Sequence, residues 1–346
     1  MGKRAVILFN LGGPSDMESV QPFLFNLFND PAIIDLPRFF RRPIAKFISQ
    51  RRKKTAQEIY KFIGGKSPIL ENTILQKEAL TNYLKMRGHD MLVLVSMRYW
   101  HPQSPSVIDQ LTKFKPEEVL LLPLYPQHSS TTTGSSLKNW LEVCEERNFK
   151  AKTFSVCCYP LNEGWIEAQT SLLKTELEKC IKPEEALVLF SAHGLPKKII
   201  KKGDPYQHQI EASAQAIAKK AGLYRESWVV CYQSRVGPLE WIGPSTDSIL
   251  EEAGKEHREV VLLPIAFVSE HSETLVELDI EYKELANQSG IKSYYRVPAV
   301  GTHPSFIRGL GDLILKSFEG QQKVCSELDP KLCSREHLLC PLAKIG

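Results

Sequence analysis

A row of five glutamates offers the clearest chemistry in the chain. At about 100° per residue in an α-helix, these carboxylates share one face. Like charges four residues apart weaken a helix. Neighbouring carboxylates also raise one another's pKa, which suits groups that relay protons or hand over a hard divalent cation. The row consists of Glu270, Glu273, Glu277, Glu281 and Glu284.

The position of the row relative to a predicted strand divides it in two. Glu270, His271 and Glu273 lie where a strand over 260–267 gives way to a helix over 272–287. Ligands of open α/β sheets bind at such strand ends. Glu281 and Glu284 lie further along the helix and are expected to face water. An alternative is that the whole row is the solvated face of an amphipathic helix.

His193 is the second residue with chemical potential. It ends the apolar run LVLFSAH (187–193) and precedes Gly194, which allows the backbone to turn sharply. A lone histidine is more often structural, but the carboxyl end of a strand favours a functional one. His193 could act as a base near neutral pH or as a nitrogen ligand to a metal ion.

The elements that must position these residues are short apolar strands alternating with helical patterns. Near-continuous apolar strands joined by helix-length connections predict parallel sheets covered on both faces. The fold class is therefore α/β, with two Rossmann-like, doubly wound domains and parallel four-stranded sheets. The predicted strands are 5–11, 91–97, 119–125 and 152–158, then 187–193, 227–233, 260–267 and 293–298.

Two pairs of similar segments suggest that the halves are duplicated. LFNLGGP (8–14) resembles LFSAHGLP (189–196), and VLLLPLYPQHSS (119–130) resembles VVLLPIAFVSEHS (260–272). Each pair occupies the first and third strand positions of its half, as a duplicated unit would. The predicted divisions are an N-terminal domain (1–160), a C-terminal domain (161–317) and a cysteine-containing tail without a predicted strand (318–346).

Composition narrows the class of protein. The chain has 346 residues, of which 42% are hydrophobic and 24% charged, as in ordinary globular proteins. A formal charge of +4 is too small to indicate nucleic-acid binding. No apolar run is long enough to span a membrane and no secretory signal is evident, so a cytoplasmic location is expected. The eight cysteines are then expected to be thiols or metal ligands. No pattern indicates an oligomeric state.

The segment 22–54 combines apolar and basic residues. PFLFNLFNDPAIIDLP (22–37) precedes RFFRRPIAKFISQRRKK (38–54), which holds eight Lys or Arg residues. Such a stretch can rest on an anionic membrane surface or admit a large apolar anion. A buried helix with one solvated face is the alternative. The first interpretation places the protein peripherally at the inner face of the membrane.

The strand-end motifs, taken in order, form a specific set. They are LFNLGGP, MRYWHP, LYPQHSSTTTGSS, FSAHGLP, YQSRVGPLEWIGP and PIAFVSEHSETLVELDIEY. From about residue 5 to 310 the chain resembles the ferrochelatase family, whose members insert Fe²⁺ into protoporphyrin IX. The resemblance implies a chelatase-like fold in which two Rossmann-like domains enclose a porphyrin cleft. Because the sequence carries no transit peptide, it is similar to the bacterial members.

The resemblance also implies roles for individual residues. His193 and Glu273 match the catalytic pair at the metal face of the porphyrin, and Glu270 and Glu277 match an acidic path leading to it. The apolar segment 22–36 matches a lip that meets the membrane and collects the porphyrin. The implied substrate-binding residues are Leu11, Arg98, Tyr99, Tyr125, Ser130, Gln233, Ser234, Trp241 and Phe267.

Some members of the family carry a [2Fe–2S] cluster, and here the sequence departs from their patterns. Animal-type members have a cysteine where Ser130 stands. Certain bacterial members resemble C-x6-C-x-C near the C-terminus; Cys333 and Cys340 keep the first spacing, but Leu342 takes the last position. The candidate cluster ligands are Cys158, Cys325, Cys333 and Cys340. The metal insertion itself is expected to need no cofactor.

These observations predict a porphyrin metallation enzyme with protoporphyrin IX and Fe²⁺ as its substrates. Metallation must remove two pyrrole protons and strip water from the metal, so a base and an oxygen-rich approach are useful. His193 is expected to accept protons while Glu273 delivers the metal; the reverse, with His193 as first metal ligand, remains open. The alternatives are another tetrapyrrole chelatase, acting on coproporphyrin III or with cobalt, and a non-catalytic porphyrin or haem carrier.

Overall fold

A computed structural model describes residues 2–235, 239–320, 324–326, 333 and 336–344. The described residues fall into two compact units. The first comprises the chain up to Tyr125 together with Ser129–Cys158 and Gly311–Cys325. The second comprises Pro126–His128, Tyr159–Leu310 and the residues from Ser326 onward.

The strands follow the apolar runs of the sequence closely. The eight predicted strands are confirmed to within a few residues at their ends. They are β1 (Arg4–Asn10), β2 (Leu92–Met97), β3 (Glu118–Pro123), β4 (Lys152–Cys158), β5 (Leu187–His193), β6 (Trp228–Gln233), β7 (Glu259–Pro264), β8 (Ser293–Arg296) and the additional β9 (Val324–Ser326).

The helices fill the connections between the strands, and short 3₁₀ turns lie at Arg225–Ser227 and Pro341–Lys344. The α-helices are α1 (Val20–Phe28), α2 (Arg38–Lys61), α3 (Ile69–Met86), α4 (Ser104–Phe114), α5 (Thr133–Glu146), α6 (Glu163–Leu177), α7 (Lys197–Lys201), α8 (Tyr206–Ala221), α9 (Thr246–Lys255), α10 (Tyr282–Ser289) and α11 (Pro304–Gly320). None of the described helices is long and apolar enough to cross a membrane.

The first four strands of each sheet follow the same order. The first has the order β2-β1-β3-β4-β9 and the second the order β6-β5-β7-β8. The pairings of β1 with β2 and β3, and of β5 with β6 and β7, are parallel. The predicted α/β class with two parallel sheets is confirmed. The first sheet also has a fifth strand, β9, in the tail where none was predicted, because three residues are too few for a periodic pattern.

The strand order reverses between β1 and β3 in the first unit and between β5 and β7 in the second. In open α/β sheets the carboxyl ends beside such a reversal form the ligand crevice. These are the same strands that carry the paired similar segments of the sequence. In the first unit the chain turns away from β1 at Gly12, whose φ of 85° is in the left-handed region that favours glycine.

The helix predicted over 272–287 departs from a regular α-helix. Glu273–Glu281 form a π-helix, and the α-helical part, α10, begins only at Tyr282. The backbone N–H of Tyr282 donates to the carbonyl oxygen of Glu277, a separation of five residues. The prediction of an α-helix is therefore wrong over these nine residues. π-Helical turns are rare and often lie at functional sites.

Candidate active site

His193 is the last residue of β5, an inner strand of the second sheet that pairs with β6 and β7. Its Nδ1 lies 2.7 Å from the carbonyl oxygen of Gly194. Since a carbonyl can only accept, Nδ1 carries the proton and the neutral ring has its lone pair on Nε2. The hydroxyl of Tyr206 donates to the backbone oxygen of His193 at 3.1 Å and steadies the end of the strand.

Glu273 is the first residue of the π-helix and brings a carboxylate to this imidazole. Its Oε2 lies 3.9 Å from Nε2 of His193 and 4.0 Å from Nε2 of His271. The same oxygen is buried and has no hydrogen-bond partner among the described residues. A buried carboxylate oxygen without a partner is costly in free energy, so it favours the arrival of a proton or a cation.

His271 completes this group from the loop before the π-helix. Its Nδ1 lies 3.1 Å from the carbonyl oxygen of Ser269, which by the same reasoning leaves a lone pair on Nε2. The ring of Phe267 packs edge-on against it, with 4.5 Å between ring centroids. Phe267, a predicted substrate-binding residue, therefore supports His271. Two imidazole nitrogens therefore lie about 4 Å from one carboxylate oxygen of Glu273.

Glu277 lies further along the π-helix and is held by the end of β6. Its carboxylate accepts hydrogen bonds from the backbone N–H of Ser234 (2.9 Å), the hydroxyl of Ser234 (2.6 Å) and the side-chain amide of Gln233 (3.2 Å). Burial and the charge of Glu273 raise the pKa of Glu277 to about 7, against the opposing effects of Ser234 and His193. Glu277 can therefore exchange a proton near neutral pH.

Gln233 and Ser234 were predicted to bind substrate, and both contact Glu277. The hydroxyl of Ser191 donates to Gln233 Oε1 at 2.8 Å, which directs the amide nitrogen of Gln233 towards Glu277. Ser234 has a φ of 59°, an unusual conformation for a residue other than glycine. Its left-handed backbone turns its N–H and its hydroxyl towards the same carboxylate. These two residues thus position an acidic group of the site.

Glu270 has a different environment from the other two carboxylates. Its Oε1 accepts hydrogen bonds from Nη1 of Arg296 (2.6 Å) and from the backbone N–H of Ala299 (2.9 Å). Burial acts to raise the pKa of Glu270, but the Arg296 guanidinium outweighs it and the net pKa is below the usual value. Glu281 and Glu284 are exposed, which confirms the expectation that they face water.

Trp241 and Gly194 lie together at the carboxyl end of β5. Trp241 forms an isolated bridge with Pro196, and its ring atom Cε3 lies 3.3 Å from the position that a Cβ on Gly194 would occupy. A Cβ at residue 194 would stand 2.9 Å from the carbonyl oxygen of Gln233. Only glycine fits this close approach. A larger residue at position 194 would therefore displace the end of β6, which holds Glu277.

In the first unit, Arg98 and Tyr99 follow β2 and share a buried carboxylate. Asp30 Oδ2 accepts from Nη2 of Arg98 (2.7 Å) and the hydroxyl of Tyr99 (2.8 Å). Ser135 donates to the same oxygen and accepts from Nε of Arg98 at 2.7 Å. Tyr99 is only 1% exposed, so its ring belongs to the core of this unit. The sequence analysis did not predict Asp30 or Ser135; the available signal for Asp30 was an acidic residue within an apolar segment.

The remaining predicted substrate residues of the first unit lie at its strand ends. Leu11 directly follows β1, and its carbonyl oxygen accepts from the N–H of Tyr99 at 2.9 Å. Tyr125 lies beyond β3 and Ser130 precedes α5; all three side chains are partly buried. Burial raises the pKa of Tyr125 above its usual value, so its hydroxyl stays protonated. The structure thus gathers the predicted residues in two groups, one in each unit.

The comparisons with known proteins identify the family of the chain. The ferrochelatase family model matches residues 3–318. The chain is 50% identical over 344 residues to the ferrochelatase of Pelagibacter ubique, covering 98% of each chain. It is 48% identical over 341 residues to the ferrochelatase of Caulobacter vibrioides, covering 98% of this chain and 97% of that one.

The chain belongs to the ferrochelatase family. Membership in this family identifies an enzyme, a porphyrin metal chelatase of the lyase class, and confirms the resemblance drawn from the strand-end motifs. The relatives named here are bacterial, as expected.

Solved structures show the same fold at low sequence identity. SirB from Bacillus subtilis with Fe³⁺ aligns with a TM-score of 0.54 at 13% identity, covering 92% of this chain and 98% of that one. The sirohydrochlorin chelatase SirB from Bacillus subtilis subspecies spizizenii, in complex with cobalt, also gives 0.54, at 11% identity, covering 92% and 96%. These likenesses confirm the two-domain, chelatase-like α/β fold.

The predicted cluster cysteines do not come together as a ligand set within the described residues. Cys158 is buried at the end of β4, and Cys333 and Cys340 are buried near the end of the described chain. Gln209 Nε2 lies 3.3 Å from the sulfur of Cys333. The side chain of Cys325 lies outside the described residues. Among the described side chains, no group of three or more His, Cys, Asp or Glu is arranged to hold a metal ion.

The apolar and basic segment 22–54 divides into a buried and an exposed part. Phe23 and Leu24 of α1 pack in the core around Tyr99. Further along, Phe39 and Phe47 of α2 are 82% and 62% exposed. They stand on a helix that also carries the basic residues of RFFRRPIAKFISQRRKK. The exposed apolar residues of this segment are Ile33, Leu36, Phe39, Phe40, Ile44 and Phe47.

Proposed function

We propose that the protein inserts Fe²⁺ into protoporphyrin IX, forming protohaem and releasing two protons, as the terminal step of haem biosynthesis. The observation that carries the proposal is the position of Glu273 Oε2. This buried oxygen has no hydrogen-bond partner among the described residues and faces the Nε2 atoms of His193 and His271. Because the chain belongs to the ferrochelatase family, we assign these groups to porphyrin metallation.

His193 is the proton acceptor in this proposal. Its Nδ1–H is committed to the Gly194 carbonyl, so Nε2 offers its lone pair to a pyrrole N–H. The imidazolium formed would lie 3.9 Å from the carboxylate of Glu273, which stabilises the positive charge. This supports the assignment of His193 as base over its assignment as first metal ligand.

Glu273 and Glu277 act on the metal and on the second proton. Carboxylate oxygens are hard ligands and replace the water that Fe²⁺ must shed before it enters the ring. Glu277, whose pKa is about 7, can accept a proton that Glu273 or His193 passes on. Because Glu270 is ion-paired with Arg296, Glu273 and Glu277 form the working part of the predicted acidic path.

The porphyrin contacts of the proposal use the partly buried strand-end residues. Leu11, Tyr125, Trp241 and Phe267 supply apolar surface for the ring. Arg98 is already paired with Asp30 and Ser135, so it is not assigned to a propionate. Its role in the proposal is to hold the strand ends of the first unit in place.

The test compares three variants in a haem-forming assay under anaerobic conditions. Glu273→Gln and His193→Ala are expected to lose about 10²–10⁴-fold in metallation rate, the usual contribution of a positioned acid or base. Porphyrin binding, followed by fluorescence, should be retained. Glu281→Gln, an exposed glutamate on the same π-helix, is the matched control and should metallate normally. Near-normal metallation by Glu273→Gln would overturn the role given to Glu273.

Substrate choice is tested with the same assay. Protoporphyrin IX and coproporphyrin III are each offered with Fe²⁺, Co²⁺ and Zn²⁺. The proposal expects the largest kcat/KM for Fe²⁺ with protoporphyrin IX. A preference for coproporphyrin III would move the function to another chelatase of this family, and porphyrin binding without metallation would indicate a carrier.

We further infer that the protein works at the inner face of the membrane, with segment 22–54 against anionic lipid. The exposed phenylalanines of α2, interleaved with arginines and lysines, support this location. A [2Fe–2S] cluster on Cys158, Cys325, Cys333 and Cys340 stays a separate prediction, because the side chain of Cys325 lies outside the described residues. Visible charge-transfer bands in anaerobically purified protein that bleach on reduction would support the cluster, and their absence would count against it.

A further inference from the structure

Arg296, at the end of β8, binds two carboxylates that belong to the segment carrying the active site. Its Nη1 donates to Glu270 Oε1 at 2.6 Å, and its Nε and Nη2 donate to the two oxygens of Asp279 at 2.7 and 2.5 Å. The Arg296 side chain is 11% exposed. A two-oxygen fork on a largely buried guanidinium is stronger and more directional than a surface ion pair. We call Arg296, Glu270 and Asp279 the arginine clamp.

The two carboxylates of the clamp flank the reactive residues in the chain. Glu270 lies three residues before Glu273, and Asp279 lies two residues after Glu277. The backbone following β8 reinforces the first contact, because the N–H of Ala299 also donates to Glu270 Oε1 at 2.9 Å. The hydroxyl of Tyr294, within β8, donates to the carbonyl oxygen of Leu278 at 2.8 Å. Strand β8 and the residues after it therefore hold both ends of the reactive segment.

The π-helical backbone between the two clamp carboxylates explains why this segment needs the arginine clamp. Extended π-helices are rare, and nine residues in this form need tertiary contacts to hold them. Such contacts also decide where Glu273 and Glu277 point. In addition, an unpaired Glu270 would add a buried negative charge close to Glu273, and like charges oppose one another's ionisation.

We infer that Arg296 is a positioning residue for metallation: through Glu270 and Asp279 it holds the π-helix so that Glu273 and Glu277 can receive the metal ion. The inference rests on the proposed function and deepens it. It assigns Glu270 to the clamp rather than to the acidic path. It also predicts that the clamp affects the metal substrate far more than the porphyrin.

The first experiment measures the Fe²⁺ and porphyrin constants of Arg296→Gln separately. Removing an outer partner of metal-site ligands typically costs 10–100-fold, so kcat/KM for Fe²⁺ should fall by about that factor while the Kd for protoporphyrin IX stays within about twofold. Arg296→Lys keeps the charge but loses the fork and should retain part of the activity. Arg308→Gln breaks an exposed pair with Glu167 and is the matched control, with wild-type constants expected.

A double-mutant cycle separates positioning from general stability. In Arg296→Gln the carboxylate of Glu270 is left buried without its partner, whereas the double variant with Glu270→Gln removes both charges. The double variant should therefore recover part of the kcat/KM lost by the single variant. A residue that only stabilises the fold would lower the melting temperature and leave the constants per folded molecule unchanged, which would overturn the inference.

Two milder variants decide the matter if Arg296→Gln does not fold. Asp279→Asn and Glu270→Gln preserve shape and each weaken one arm of the clamp. Each should lower kcat/KM for Fe²⁺ severalfold, and wild-type constants in both would overturn the inference. Wild-type protein is assayed alongside. If it fails to metallate protoporphyrin IX, the proposed function and the inference fall together; if it is active and the clamp variants are normal, only the inference falls.

Discussion

Glu277 accepts two hydrogen bonds from one residue, Ser234, whose backbone lies in the left-handed region. The donors are the backbone N–H and the hydroxyl, at 2.9 and 2.6 Å. Both favour the charged carboxylate, against burial and the charge of Glu273, which raise its pKa. The result is a carboxyl group that titrates at about pH 7, where a proton acceptor is most useful.

Removing the Ser234 hydroxyl should therefore shift the pH dependence of the enzyme. Ser234→Ala takes away a donor to the charged form, so the pKa of Glu277 should rise by about one unit. If Glu277 must be deprotonated to accept a proton, the acidic limb of kcat/KM moves to higher pH. Ser227→Ala, whose hydroxyl bonds only locally to Tyr224, serves as control. Superimposable profiles for Ser234→Ala and wild type would contradict this role.

Above neutral pH, the buried charge of Glu277 should lower the free energy of unfolding. The pKa of Glu277 is about 7 in the folded protein, against a reference value of 4.5 for the unfolded chain. Between pH 4.5 and pH 7 the folded state therefore binds more protons than the unfolded state. By linkage, the contribution of Glu277 to the free energy of unfolding is fully present below pH 4.5 and is lost as the pH rises through 7. Glu277→Gln should then raise the free energy of unfolding at pH 8 by up to about 3 kcal/mol.

Thermal unfolding of Glu277→Gln and wild type at pH 5 and pH 8 measures this effect. The gain in melting temperature should be larger at pH 8, while metallation falls. Glu281→Gln, on the exposed side of the same helix, should show no pH-dependent gain. An equal or larger gain at pH 5 would show that Glu277 is not buried in its charged form.

Gly194→Ala tests the close approach of the β5 and β6 ends. A methyl group at residue 194 would stand 2.9 Å from the Gln233 carbonyl and 3.3 Å from the ring of Trp241. The backbone must then shift beside His193, at a cost of about 1–3 kcal/mol in stability. Gly134→Ala, where the added methyl would make ordinary contacts, is the matched control. Wild-type melting temperature and kcat in Gly194→Ala would show that the turn can relax without moving His193.

The sequence predicted those features that depend on local pattern. The apolar runs located all eight long strands, and the strand-end rule brought His193 and Glu273 to the same edge of one sheet. The π-helix escaped prediction because the pattern that spaces its glutamates fits an α-helix equally well. Asp30 and Arg296 escaped because their partners are far away in the chain: Asp30 meets Arg98, and Arg296 meets Glu270.

The exposed face of α2 yields a prediction for membrane binding. Burying a phenylalanine in an apolar environment contributes about 1.5–3 kcal/mol, so the double variant Phe39→Ser, Phe47→Ser should bind vesicles at least tenfold more weakly. The vesicles contain phosphatidylglycerol and phosphatidylcholine, and binding is followed by sedimentation. Because arginines and lysines share the helix, added salt should weaken wild-type binding as well. Met86→Ser removes an equally exposed apolar side chain outside this segment and should bind like wild type. Equal binding by the double variant would show that the phenylalanines of α2 do not enter the lipid.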